Sequence, residues 1–280
     1  MKTQITIIAA AVAFAMSTGA SAQYWASGSD STIYQEGNSN TNAVTQWGTQ
    51  TSRIHQEGNS NAATVTQDDV AGIATTLPGQ NKSGINQIGQ TNAATVAQLG
   101  AFNDSTVYQQ GNTNTASIDQ DGFKNLSVSE AIGNSNGTNI TQVGKFNDSY
   151  AYLEGNSNSA TVSQDGFENK SVIEQVGNSN ITEVTQNGDF NDSYVHLNGN
   201  SNEAYVNQDG YSLDSTILAT GNSNIHHVMQ SGYNHDSYIY TNGSNNVQNV
   251  TQSGYLWGGN HNSNIVTHGN SNSNTVSQAH

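Results

Sequence analysis

"YQEGNSNTNAVTQWG", Tyr34 to Gly48, sets two short alternating runs on either side of a polar knot, Gly37-Asn38-Ser39-Asn40. The stretch returns as "HQEGNSNAATVTQ" from His55 and as "HLNGNSNEAYVNQ" from His196. Self-similarity at a fixed period marks stacked supersecondary units, so the period has to be established before any single residue is read.

Counted from its serine, the unit starts eleven times, at Ser31, Ser52, Ser83, Ser105, Ser127, Ser149, Ser171, Ser193, Ser215, Ser237 and Ser263. From Ser83 to Ser237 every step is 22 residues. Six places after each serine stands a glycine: Gly37, Gly58, Gly89, Gly111, Gly133, Gly155, Gly177, Gly199, Gly221, Gly243 and Gly269. Nine places after it stands an asparagine: Asn40, Asn61, Asn92, Asn114, Asn136, Asn158, Asn180, Asn202, Asn224, Asn246 and Asn272. Thirteen places on comes Val or Ile, from Val44 to Val276, and two further on always a glutamine: Gln46, Gln67, Gln98, Gln120, Gln142, Gln164, Gln186, Gln208, Gln230, Gln252 and Gln278.

Between these fixed points the residues alternate with period two, as in Thr115-Ala-Ser-Ile-Asp-Gln. The unit therefore reads as strand, tight arc at Gly-Asn-Ser-Asn, strand, second arc at Gly-x-Phe-Asn-Asp. Antiparallel hairpins in a sandwich use the same turn residues, but have no reason to place one residue at one offset eleven times. A solenoid does, because stacking turns every offset into a column. The expected fold is all-β: a β-solenoid, or β-arcade, of eleven strand-arc-strand repeats over residues 31–280, about 50 Å long at the usual strand spacing. The uniform face (serine, Ile or Val, Gln) should point inward. Stacked glutamines and arc asparagines can then hydrogen-bond along the axis, and a buried amide is costly only when unpaired.

Composition bounds the rest. The chain has 280 residues, of which 33% are hydrophobic and 10% charged, and its mean hydropathy is -0.60. An ordinary thick core is excluded. Met1-Lys2 leads into the apolar run "ITIIAAAVAFAM", ending in Ala20-Ser21-Ala22, so residues 1–22 read as a secretory signal peptide and 23–30 as a short N-terminal segment before the repeats. Losing Lys2 leaves 5 basic against 21 acidic residues, -16, which argues against nucleic acid as a partner. No membrane span is expected in the mature chain. With no cysteine, an exported chain of this kind has no disulfide frame. Two lengthened arcs, Asp68 to Lys82 with the sole proline Pro78 and Tyr255 to Asn262, are expected to bulge outward.

No site chemistry is expected: no catalytic residues, cofactor or metal. The serines belong to a column, no P-loop or dinucleotide fingerprint is present, and the eight histidines scatter over different offsets, which makes surface positions their default. Asp104, Asp148, Asp192, Asp214 and Asp236 share one arc, where turn propensity accounts for them as well as calcium does. A weaker 44-residue period sets Asp-Gly-Phe or Asp-Gly-Tyr at Asp121, Asp165 and Asp209 against Phe-Asn-Asp at Phe102, Phe146 and Phe190.

The pattern Gln-x-Gly-x-x-Asn-x5-Gln, as in Gln109, Gly111, Asn114 and Gln120, resembles the curlin repeat of bacterial curli fibres. The resemblance implies a secreted, non-enzymatic subunit that polymerises head to tail with itself into extracellular amyloid of the biofilm matrix. It also implies a nucleator subunit and an outer-membrane secretion pore as partners. The alternative is a soluble monomeric β-solenoid adhesin or surface-display protein. Two departures from the family pattern stand out. Its first glutamine gives way to Ala131, Leu153, Leu197, Ala219, Thr241 and Thr267, and its leading serine is here usually asparagine, as at Asn103, Asn125, Asn147, Asn169 and Asn191.

Overall fold

Alternation of small or apolar residues with polar ones builds strands of six to nine residues, two in each unit, and the arc glycines end the runs at the corners. The structure is a computed structural model and describes residues 5–7, 28–69, 80–254 and 260–279. All regular structure among these residues is strand. The units stack as eleven rungs, numbered here by their serines. First strands form one sheet and second strands another, and neighbouring rungs pair in parallel within each. The expected β-solenoid is the observed fold.

Register follows the columns. Between rungs 5 and 6, Ser127 pairs with Ser149 and Gly133 with Gly155, while Ile140 pairs with Val162 and Gln142 with Gln164. A short strand, Ile5–Ile7, lies antiparallel on the outer edge of Asp30–Glu36 in rung 1. The rest of the segment read as a signal peptide lies outside the described residues, as do residues 70–79 and 255–259 of the two lengthened arcs.

The core is one residue layer between the two sheets. Ile118, Ile140, Val162 and Val184 are buried in the second-strand column, and Val107, Ala151, Ile173 and Val195 in the facing one. Beyond the run Gln35 to Gln109, the first-glutamine site and the site seven residues later adjust to each other, whether the glutamine is kept, as at Gln175, or replaced. Gln175 donates to Thr182, Asn274 donates to Thr267, and small Ala219 is matched by large His226, both buried. The serine column is buried too, yet nine of its hydroxyls find no partner among the described residues. The column is therefore better explained by small volume beside the glutamine than by a hydroxyl ladder.

Candidate functional site

The eleven glutamines of the second strands form one continuous chain. Each side-chain Nε2 donates to Oε1 of the next, from Gln46 through to Gln278, at 2.6 to 3.0 Å. The other amide hydrogen crosses the core to a first-strand carbonyl; Gln142, for example, donates to Leu126 O at 2.9 Å. One side chain thus ties rung to rung and sheet to sheet. In the first strands the shorter series Gln35, Gln56, Gln87 and Gln109 is linked in the same way.

The arc asparagines from Asn40 to Asn272 form a second chain of different chemistry. Each Oδ1 accepts the backbone N–H of the next asparagine at 2.9 to 3.1 Å. Each Nδ2 donates to the carbonyl of the next rung's arc glycine at 2.8 to 3.0 Å. These bonds hold the arc glycines carbonyl-to-backbone. At Gly155, with φ +118°, an added β-carbon would run into the carbonyl of Gly177.

Sequence reading passed over a third chain, at the second arc. The asparagines noted only as a departure from the family serine are buried there. Starting from Gln50, each side-chain oxygen accepts the next backbone N–H, through Asn81, Asn103, Asn125, Asn147, Asn169 and Asn191 to Leu213, at 2.8 to 3.1 Å. Their regular spacing was the available signal. It was missed because the family pattern directed attention to what they replaced.

The histidines depart from the surface default in two places: His226 and His235 are buried. His235 stands in the second arc column and reproduces the asparagine bonds, its Nδ1 accepting the His261 N–H and its Nε2 facing Ser231 O at 3.1 Å. His226 replaces a small core residue and bonds Thr241 Oγ1 at 3.0 Å. Burial pushes its pKa down from 6.5 to about 4. A folded-state pKa below the unfolded one means that stability is lost as pH falls from 6.5 through 4. At about 1.4 kcal/mol per unit the loss reaches about 3 kcal/mol. Burial raises the pKa of Asp148, Asp192 and Asp214, so those groups act in the opposite sense, gaining stability as pH falls. We expect His226→Thr to remove the histidine loss alone, read as a smaller drop in thermal midpoint between pH 7 and 4 than in the parent. An unchanged drop would mean that His226 does not set the acid response.

The five aspartates stand one per rung at a strand start, interrupted by Leu126 and Lys170, so that Asp192, Asp214 and Asp236 are consecutive. Among the described residues no three metal-ligating side chains converge.

Gln142→Leu tests the central chain. It takes the acceptor from Gln120 and the donor from Gln164, at about 1–3 kcal/mol for each amide. Tyr152, half-exposed on the outer face with its hydroxyl on Glu154, should cost less as Tyr152→Ser. Chemical denaturation of the two variants compares them, and equal losses would contradict a stabilising role for the axial amides.

The curlin associated repeat matches this chain four times, over residues 111–144, 133–166, 155–186 and 177–210. Each match opens on an arc glycine, and the starts lie one rung apart. No curated protein matches the chain. Residues 111–210 of this chain are thus curlin repeats, and the same glycine, asparagine and glutamine columns run through all eleven rungs.

Proposed function

We propose that this chain is the structural subunit of an extracellular amyloid fibre that grows head to tail, with roles in biofilm matrix, adhesion and cell aggregation. Curlin repeats imply a curli-type fibre subunit family. The observation that carries the reading is the polarity of the ladders. Among the described residues, Gln46 in rung 1 keeps an unused Oε1 acceptor, and Gln278 in rung 11 has no glutamine left to donate to. The asparagine ladder runs the other way: the Asn40 N–H has no side-chain acceptor, and Asn272 Oδ1 has no donor. Rung 11 of one copy therefore offers what rung 1 of the next lacks in both chains. Head-to-head contact sets acceptor against acceptor. A head-to-tail contact does not close, so it makes a filament.

Ile5–Ile7 lies on the rung 1 edge of the first-strand sheet, and removal of residues 1–22 would bare it. A secretion pore and a nucleator fit this reading as partners. The charge of -16 on the mature chain opposes assembly, which should speed up as salt screens it. The test is sedimentation of freshly purified chain from Gln23, followed by fibre diffraction. Pelletable fibres with a meridional reflection near about 4.7 Å are expected. A chain that stays monomeric with and without seeds would instead support the soluble adhesin.

A further inference from the structure

The two 44-residue series of aromatics interleave in space. The aromatic tip residue of the second arc alternates between two adjacent places from rung 3 to rung 8 and keeps the same place in rung 9, so that one of the two is always aromatic: Phe102, Phe123, Phe146, Phe167, Phe190, Tyr211 and Tyr233. Neighbouring rings are 5.3 to 6.1 Å apart, mostly edge to face. The ladder runs about 29 Å along one edge. Phe102, Phe146 and Phe190 hold φ near +60°, a conformation that costs an ordinary residue about 1–2 kcal/mol. Four of the seven nevertheless stay exposed, Phe146 at 39% and Tyr233 at 54% among them, while Phe102, Phe123 and Phe167 are half-buried. The opposite edge differs in kind, carrying a hydrophilic ladder of Asn112, Asn134, Asn156, Asn178, Asn200 and Asn222.

The charges among these tips are ordered. Rungs 4 and 5 carry Lys124 and Lys145; rungs 6 and 7 carry Glu168 and Asp189. Lys124 lies over the rings of Phe123 and Phe146, and Asp189 accepts the Phe167 N–H. Reversing the sequence plus, plus, minus, minus end for end gives its complement. We propose that this edge is a self-recognition surface through which two copies pair side by side and antiparallel, about a two-fold axis between rungs 5 and 6.

In that arrangement the Lys145 rung faces the partner's Glu168 rung, and the Lys124 rung faces the partner's Asp189 rung. The Phe102 rung then faces the Tyr211 rung. Parallel pairing in register sets lysine against lysine and carboxylate against carboxylate. The shoulders of the edge are mainly acidic, with Asp121, Asp148, Asp165, Asp192, Asp209 and Asp214 against Lys170. They oppose contact in either orientation and do not choose between them. The aromatic surface amounts to about 500 Å² per copy, so a pair buries about 1,000 Å², the lower bound for a specific contact. Pairing of single molecules is accordingly weak, and in a filament it gains from repetition.

The chain has no cysteine, so single thiols can be placed at will. Ala101 is a rung 3 tip and Ser212 a rung 8 tip, and antiparallel pairing brings these two rungs together. With a short bismaleimide, the double variant Ala101→Cys/Ser212→Cys should cross-link into dimers and each single variant should not. Single variants that cross-link with themselves would mean parallel pairing, and no cross-linking in any variant would mean no contact here. Either result overturns the proposal. On the double-cysteine background, Lys124→Glu/Lys145→Glu should cut the dimer yield about tenfold or more, and adding Glu168→Lys/Asp189→Lys should restore it. Failure of the four-fold swap to restore cross-linking, with circular dichroism unchanged, would exclude charge order as the basis. Rungs 3 and 8 are internal to the stack and neither end rung takes part in the contact, so these results do not depend on head-to-tail growth.

Discussion

Gly155→Ala should cost about 2–6 kcal/mol, the sum of a strained left-handed backbone and overpacking against a neighbour that cannot move aside. Gly155 has φ +118°, and its added methyl meets the backbone carbonyl of Gly177, an atom fixed by Asn158 Nδ2 at 2.8 Å and by the register of the stack. Gly137 is the control. It lies in a strand with no positive φ, and a β-carbon there meets only the Thr115 hydroxyl oxygen at 3.4 Å. Gly137→Ala should therefore be neutral or stabilising by about 0.5–1 kcal/mol, because alanine loses less chain entropy on folding. Denaturation midpoints of the two variants measure the difference. Similar midpoints would mean that the arcs can separate to admit a methyl group, and the close stacking described above would lose its energetic basis.

The second large effect is expected at the two ends. In a parallel strand the N–H groups point alternately to the two neighbours. Thr41 and Trp47 donate toward rung 2, so Val44, displaced from both by an odd number of residues, points its N–H away from the stack. In rung 10 Val247 donates to Asn272 O of rung 11, and the same alternation turns the Thr275 N–H outward at the far end. Under the head-to-tail growth proposed above, Val44→Pro and Thr275→Pro would each delete a donor needed by an incoming copy and place a ring in its path, while the internal ladders are kept. An unmet partner group at a buried junction costs about 1–3 kcal/mol, or about 10- to 100-fold in seeded growth. The double variant should add poorly to both ends of preformed seeds while retaining its strand signal in circular dichroism. Elongation at the parent rate would require abandoning end-to-end stacking in favour of lateral growth alone.

Much of this architecture was legible in the sequence because stacking makes it redundant. A residue required at one rung is required at all, so Gln142 and Gly155 are each specified eleven times over, and period-two alternation assigns the inner face without coordinates. What tolerated substitution was harder to read. The first-glutamine site varies because its volume is shared with the place seven residues later, and Ala219 and His226 reveal that only as a pair. The surface default failed for His226 and His235 because burial in a solenoid depends on strand parity and column, not on side-chain type.

The order of columns along the chain, and hence the β-solenoid itself, was determined by sequence alone, since periodicity of 22 residues is a one-dimensional property. Three features needed the tertiary structure. The direction of each amide chain follows from side-chain rotamers, which composition does not encode. The use of the second arc asparagines follows from which backbone N–H lies above each Oδ1. The single aromatic edge exists because two adjacent tip positions, distinct in sequence, converge on one line when the arc closes.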